Sequence, residues 1–224
     1  MSVAYAVPEQ AASPLERQWL YAHVAAQFIG LSAAAAAYGL SQAAGANDVA
    51  VAFGLGAELV FAISFAALRG VVLRRVLPEF PLATWIVAVA AALMLVPLAA
   101  VLFGAGATPI PSVPRVTNAM LSSGFGFMVF VGLLFGLSIG AVEALVLRKS
   151  ARNLGQWVKW SGYAWGGSTV VVYMAGLIVM GNPSLSVSSF ALLVLVMKIV
   201  QSVLIAGTTW TALEQIEPRV TRSL

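Results

Sequence analysis

Residues 121–149 read LSSGFGFMVFVGLLFGLSIGAVEALVLRK, an apolar run whose single charge before the basic pair Arg148-Lys149 is Glu143. Crossing a bilayer core about 30 Å thick takes roughly 20 apolar residues of helix. Backbone exposed to lipid must satisfy its hydrogen bonds internally, which leaves helices and closed barrels, and this run is far longer than a barrel strand. It therefore reads as a membrane-crossing helix, spanning 121–147, that ends in a basic tip.

Five further runs of the same kind lie at 20–42, 49–68, 83–104, 160–180 and 189–213. Helix breakers or charges separate them: Gly45-Ala46-Asn47-Asp48, the stretch from Arg69 to Pro81, Thr108 to Pro114, Arg148 to Lys159, and Gly181-Asn182-Pro183. The composition agrees. Of the 224 residues 61% are hydrophobic and 9% charged, with a mean hydropathy of +0.95, whereas a soluble domain keeps about 25% of its residues charged. The sequence predicts an all-α, polytopic integral membrane protein with six transmembrane helices.

Ser13-Pro14-Leu15-Glu16 has the form of a capping box with proline at the first helical position, so the first helix is expected to start well before its apolar run. The predicted organisation is an N-terminal arm over 1–12, a six-helix domain over 13–217, and a tail over 218–224. Arg17, Arg69, Arg74, Arg75, Arg148, Lys149, Arg152, Lys159, Arg219 and Arg222 fall on one side and Arg115 on the other. By the positive-inside rule both termini are cytoplasmic, and the inner membrane of a bacterium is the expected location. All six tryptophans cluster toward the same side, as an interfacial belt would. The formal net charge of +4 reads as an insertion signal and an attraction to anionic lipid head groups. Without a soluble domain, nucleic acid is excluded as a partner.

A shift of 74 residues lays the second span on the fourth, with Phe53, Leu59, Phe61, Ser64, Ala67, Val72, Leu73 and Arg74 meeting Phe127, Leu133, Phe135, Ser138, Ala141, Val146, Leu147 and Arg148. After a two-residue gap Trp85 meets Trp157. The expectation is a parallel duplicated helical hairpin, spans 2–3 and 4–5, related by an axis along the membrane normal. The strings GLSIGAVEALVLRK (136–149) and AALRGVVLRR (66–75), each followed by a tryptophan, resemble the G-x-x-Q-x-L-V-L-R-R…W hairpins of uncharacterised bacterial multi-span membrane proteins. That resemblance implies architecture and no activity. Arg69 and Glu143 stand where the group has glutamine.

Charge inside the spans is scarce enough to single out. Glu58 and Lys198 lie at mid-depth, where a charge costs about 2.5–3.5 kcal/mol even on the lenient insertion scale, so an inward-facing ion pair or ion path is expected, flanked by Gln201, Ser202 and Thr209. Glu143 and Arg69 are expected to snorkel toward the cytoplasmic interface and to pair across the repeat. Gly132, Gly136 and Gly140 form a small-residue seam for close helix packing. His23 is a candidate axial ligand for a tetrapyrrole, a carotenoid being the alternative pigment; otherwise no cofactor and no metal is predicted, and bound lipid is expected.

Zero cysteines and one histidine remove thiolate metal sites and most histidine relays. No Gly-x-Ser-x-Gly, His-Glu-x-x-His or phosphate-loop pattern occurs, so no enzymatic activity is expected. The favoured reading is a non-enzymatic accessory or assembly subunit of a larger membrane complex, with other membrane subunits as partners. Its alternatives are a small transporter or ion- or proton-conducting protein using Glu58 and Lys198, and a pigment- or haem-binding subunit using His23.

Overall fold

The computed structural model describes residues 13–44, 47–77, 79–102, 124–182, 184 and 186–218. The expected arm over 1–12, the Thr108 to Pro114 turn, Arg115 and the tail from Arg219 lie outside the described residues. Six helices are present among those described: α1 (Pro14–Ala44), α2 (Asn47–Val76), α3 (Leu82–Leu102), α4 (Phe125–Leu147), α5 (Leu154–Gly181) and α6 (Val187–Gln215). All six are long and apolar enough to cross a membrane. Their outward faces carry large exposed side chains such as Val87, Leu95, Phe127, Phe130 and Leu192, an apolar coat that lipid tolerates and water does not.

The capping box forms: Glu16 N–H donates to Ser13 Oγ at 3.1 Å, and Ser13 N–H donates to Glu16 Oε2 at 3.3 Å. Helix ends elsewhere depart from the apolar runs. The segment from Arg69 to Pro81 is not a turn over its whole length, because α2 continues through Arg69, Arg74 and Arg75 to Val76. Likewise α5 already begins at Leu154, so Lys159 is helical. Arginine and lysine are good helix formers, and cations suit a helix C-terminus; the charges mark where apolar character fades, not where the helix stops.

Each helix packs on its neighbours in sequence, and α6 packs back on α1, closing a ring of six. Between α4 and α5 the contact is closest. A Cβ placed on Gly136 would sit 2.5 Å from the Ser161 carbonyl oxygen and 2.9 Å from Gly162 Cα, so only glycine lets the two backbones meet there. Gly132 and Gly140 face Thr169 and Ser161 in the same way, while Leu133 and Leu137 fill the space over Gly166 and Gly162. The seam is thus occupied within the chain.

One end of the ring, here the basic end, carries the α2–α3 and α4–α5 turns, the start of α1 and the end of α6. Ser150 Oγ donates to the Glu79 carbonyl (3.2 Å), Asn153 Nδ2 to the Gln215 carbonyl (3.0 Å), and Arg75 to Gln18 Oε1. A two-residue strand β1 (Ala151–Arg152) pairs antiparallel with β2 (Glu217–Pro218). Asn153, at φ 59°, makes the left-handed turn from β1 into α5, a conformation asparagine tolerates better than most residues. Near the other end, Ser41 donates to the Tyr38 carbonyl and Asn182 to the Ile178 carbonyl, each a local bond.

Candidate functional site

Two polar centres are stacked inside the ring. The lower one, near the basic end, is built on Arg69 of α2 and Glu143 of α4. They form a two-pronged ion pair, with Arg69 Nη1 to Glu143 Oε1 and Nη2 to Oε2. Both are about 1% exposed, so neither snorkels to an interface as the sequence suggested. Lying near the end of a long helix gives a side chain the reach to escape, but here the ring closes over it.

The guanidinium carbon lies 4.8 Å from the Phe65 ring, 5.0 Å from Trp19, 5.6 Å from Trp85 and 5.8 Å from Trp157. Such faces stabilise a desolvated cation by about 0.5–2 kcal/mol each. Trp157 Nε1 donates to Glu143 Oε2 at 2.7 Å, Trp85 Nε1 to the Ala66 carbonyl at 2.9 Å, and Trp19 Nε1 to Thr209 Oγ1 at 3.1 Å. The expectation of a one-sided interfacial belt therefore fails for these three tryptophans, which are 0% exposed. Trp160 and Trp210 do sit at the margin, donating to Gln215 and Glu214. A sequence shows how far an indole lies from the end of its helix, but not whether it points inward.

His23 belongs to this lower centre. Its Nδ1 donates to the Trp19 carbonyl at 2.9 Å, and its ring stands edge-on between Trp19 and Phe65. The imidazole is 0% exposed and its Nε2 has no partner. In this packing a macrocycle reaches Nε2 only if one of the flanking rings moves.

The upper centre is a cavity of about 100 Å³ lined by Gln27, Gly30, Leu31 and Ala34 of α1, Ala57, Glu58 and Phe61 of α2, and Lys198 of α6. Glu58 and Lys198 each stand eleven residues into their helices from the far end, about 16 Å at 1.5 Å per residue. Both line this one cavity. The direct ion pair expected from sequence is nevertheless not formed: Arg69–Glu143 is the ion pair among the described residues. Two inward-facing side chains of opposite charge need not touch when the helices carrying them are separated by a third, here α1.

Gln201 and Ser202, expected on the path, are diverted to packing. Gln201 Nε2 donates to the Ser168 carbonyl of α5 at 3.3 Å, and Ser202 Oγ bonds back to the Lys198 carbonyl at 2.8 Å. Gln27 takes their place at the cavity wall, one turn beyond His23 on the buried face of α1. A second cavity, about 30 Å³, shares Ala34, Ala57 and Glu58 and continues along Ala37, Tyr38, Ser41 and Gly54. No grouping of side chains suited to hold a metal occurs among the described residues. Compared with protein-family models, with curated proteins and with solved structures, the chain matches none.

Proposed function

We propose that this chain is a non-enzymatic integral membrane protein, set in a bacterial inner membrane with both termini cytoplasmic, that carries a small polar solute through its upper cavity. The observation that supports this reading is the placement of Glu58 and Lys198 on one cavity at mid-depth without an ion pair between them. Charges held at hydrocarbon depth are costly, and those found there usually mark substrate or ion pathways. The separation of Arg69 and Glu143 by 74 residues supports a parallel duplicated hairpin as the scaffold, since the repeat makes those two positions equivalent.

Sequence alone favoured an assembly subunit, on the near absence of chemistry, the short loops and small-residue seams such as the one at Gly132, Gly136 and Gly140. With that seam taken up by α5, the transport reading moves ahead of it. Nor does an open channel along the ring axis fit, because the Arg69 cluster fills the basic end. A carrier that alternates access fits better.

Reconstituted wild-type protein should take up at least one of a panel of labelled small solutes, namely glycine, alanine, acetate and methylammonium, above protein-free liposomes. The double variant Glu58→Gln, Lys198→Met should fall to background. Equal uptake by both proteins, or uptake of no solute by either, refutes the proposal.

A further inference from the structure

Resting on that transport reading, we infer that the occupant of the upper cavity is a small zwitterion, its ammonium set against Glu58 and its acid group against Lys198 and the Gln27 amide. The structure further assigns its entry to the end opposite the basic turns.

Charge argues for a zwitterion. A lone cation would neutralise Glu58 and leave Lys198 uncompensated, and a lone anion would do the reverse; at this depth an unpaired charge is the expensive outcome. A molecule bearing both signs satisfies both walls at once. Gln27, 7% exposed and lining the same cavity, adds a neutral donor and acceptor where the acid group would lie. Size argues for a small one. About 100 Å³ corresponds to only a few waters at roughly 30 Å³ each, well below the about 300–1,000 Å³ of drug-sized sites.

Direction follows from what lies on either side. Toward the far end, the second cavity shares Glu58 with the first and runs along Ala37, Tyr38, Ser41 and Gly54. Toward the basic end the way is filled by Trp19, Phe65, Trp85 and Trp157 around the Arg69–Glu143 pair, above turns cross-linked by Ser150–Glu79 and Asn153–Gln215. Among the described residues, then, the basic end is filled, and the second cavity extends from Glu58 toward the other end.

A chain without cysteine allows a direct test. Ala34→Cys, on the wall shared by both cavities and purified into proteoliposomes with the basic end facing the lumen, is treated from outside with a membrane-impermeant methanethiosulfonate. The thiol should react from outside and not with reagent trapped inside. Glycine or alanine at ten times its dissociation constant should slow the reaction about tenfold, while acetate and methylammonium should not. Glu58→Gln and Lys198→Met should each abolish that protection.

Source is resolved by the lipid. Slow labelling in phosphatidylethanolamine that becomes fast in pure phosphatidylglycerol assigns a zwitterionic head group; protection by glycine in pure phosphatidylglycerol assigns a free solute. Either result supports the inference. It is overturned if acetate or methylammonium protects as well as glycine, if protection survives both charge variants, if nothing protects in either lipid, or if only luminal reagent reacts. Should either charge variant misfold, as judged by size-exclusion elution, the competition on Ala34→Cys alone still decides. Uptake of acetate or methylammonium that depends on Glu58 and Lys198 would discard the zwitterion and keep transport; no uptake of any solute would discard transport itself.

Discussion

Replacing Glu143 with leucine leaves the Arg69 guanidinium buried without a counter-charge. Breaking a buried pair from one side costs about 3–5 kcal/mol. The Trp157 indole N–H, now 2.7 Å from Glu143 Oε2, also loses its acceptor, a further penalty of about 1–3 kcal/mol. The four aromatic faces around Arg69 offset part of this, so a net loss of roughly 4 kcal/mol is expected. In the double variant Arg69→Met, Glu143→Leu the stranded charge is gone. What remains is the orphaned indole and the lost cation–π contacts, so the double variant should be less destabilised than the sum of the two single changes. The assay is unfolding in mixed micelles titrated with sodium dodecyl sulfate, followed by tryptophan fluorescence, for which Trp19, Trp85 and Trp157 are probes inside the cluster itself. A loss below about 1 kcal/mol for Glu143→Leu, or a double variant as unstable as the summed single changes, would refute the reasoning.

Gly136→Ala drives a methyl group into the Ser161 carbonyl and should cost at least about 1–3 kcal/mol, whereas Gly207→Ala, with open space around its Cβ, should be neutral or gain up to about 1 kcal/mol; thermal denaturation read by size exclusion compares the two. Ser13→Ala removes the side-chain half of the α1 capping box and should cost about 0.5–2 kcal/mol, seen as faster amide exchange confined to the first turn. Ala57→Leu fills wall shared by both upper cavities and should abolish solute uptake while leaving the detergent-extracted protein folded; undiminished uptake would place the path elsewhere.

The six helices were legible because apolar run length is a one-dimensional property, and lipid imposes it directly. Helix ends were less so: at Arg69 and Lys159 the reading took charge as the boundary, while backbone hydrogen bonding carries the helix through charge. The 74-residue shift set Arg69 against Glu143 before any contact was known, and those two side chains do meet. Their burial could not be read, because it depends on α1, α3 and α5 each supplying a tryptophan from a different part of the chain. The upper cavity was half legible. Scarcity of charge picked out Glu58 and Lys198, but the polar stripe of α6 pointed to Gln201 and Ser202, whose hydrogen bonds turn to α5 and to their own backbone. Gln27 carried a signal that went unused, its four-residue step from His23 on a face that α2 covers.

Synthesis delivers α2 before α4, so for a time Arg69 has no Glu143 to meet it. Seven residues from the end of its helix, it can wait by reaching the head groups. The arrival of Glu143, with Trp157 following on the next helix, draws the cation inward. The buried pair thus ties the early half of the chain to the late half, and it can form only after both have been made.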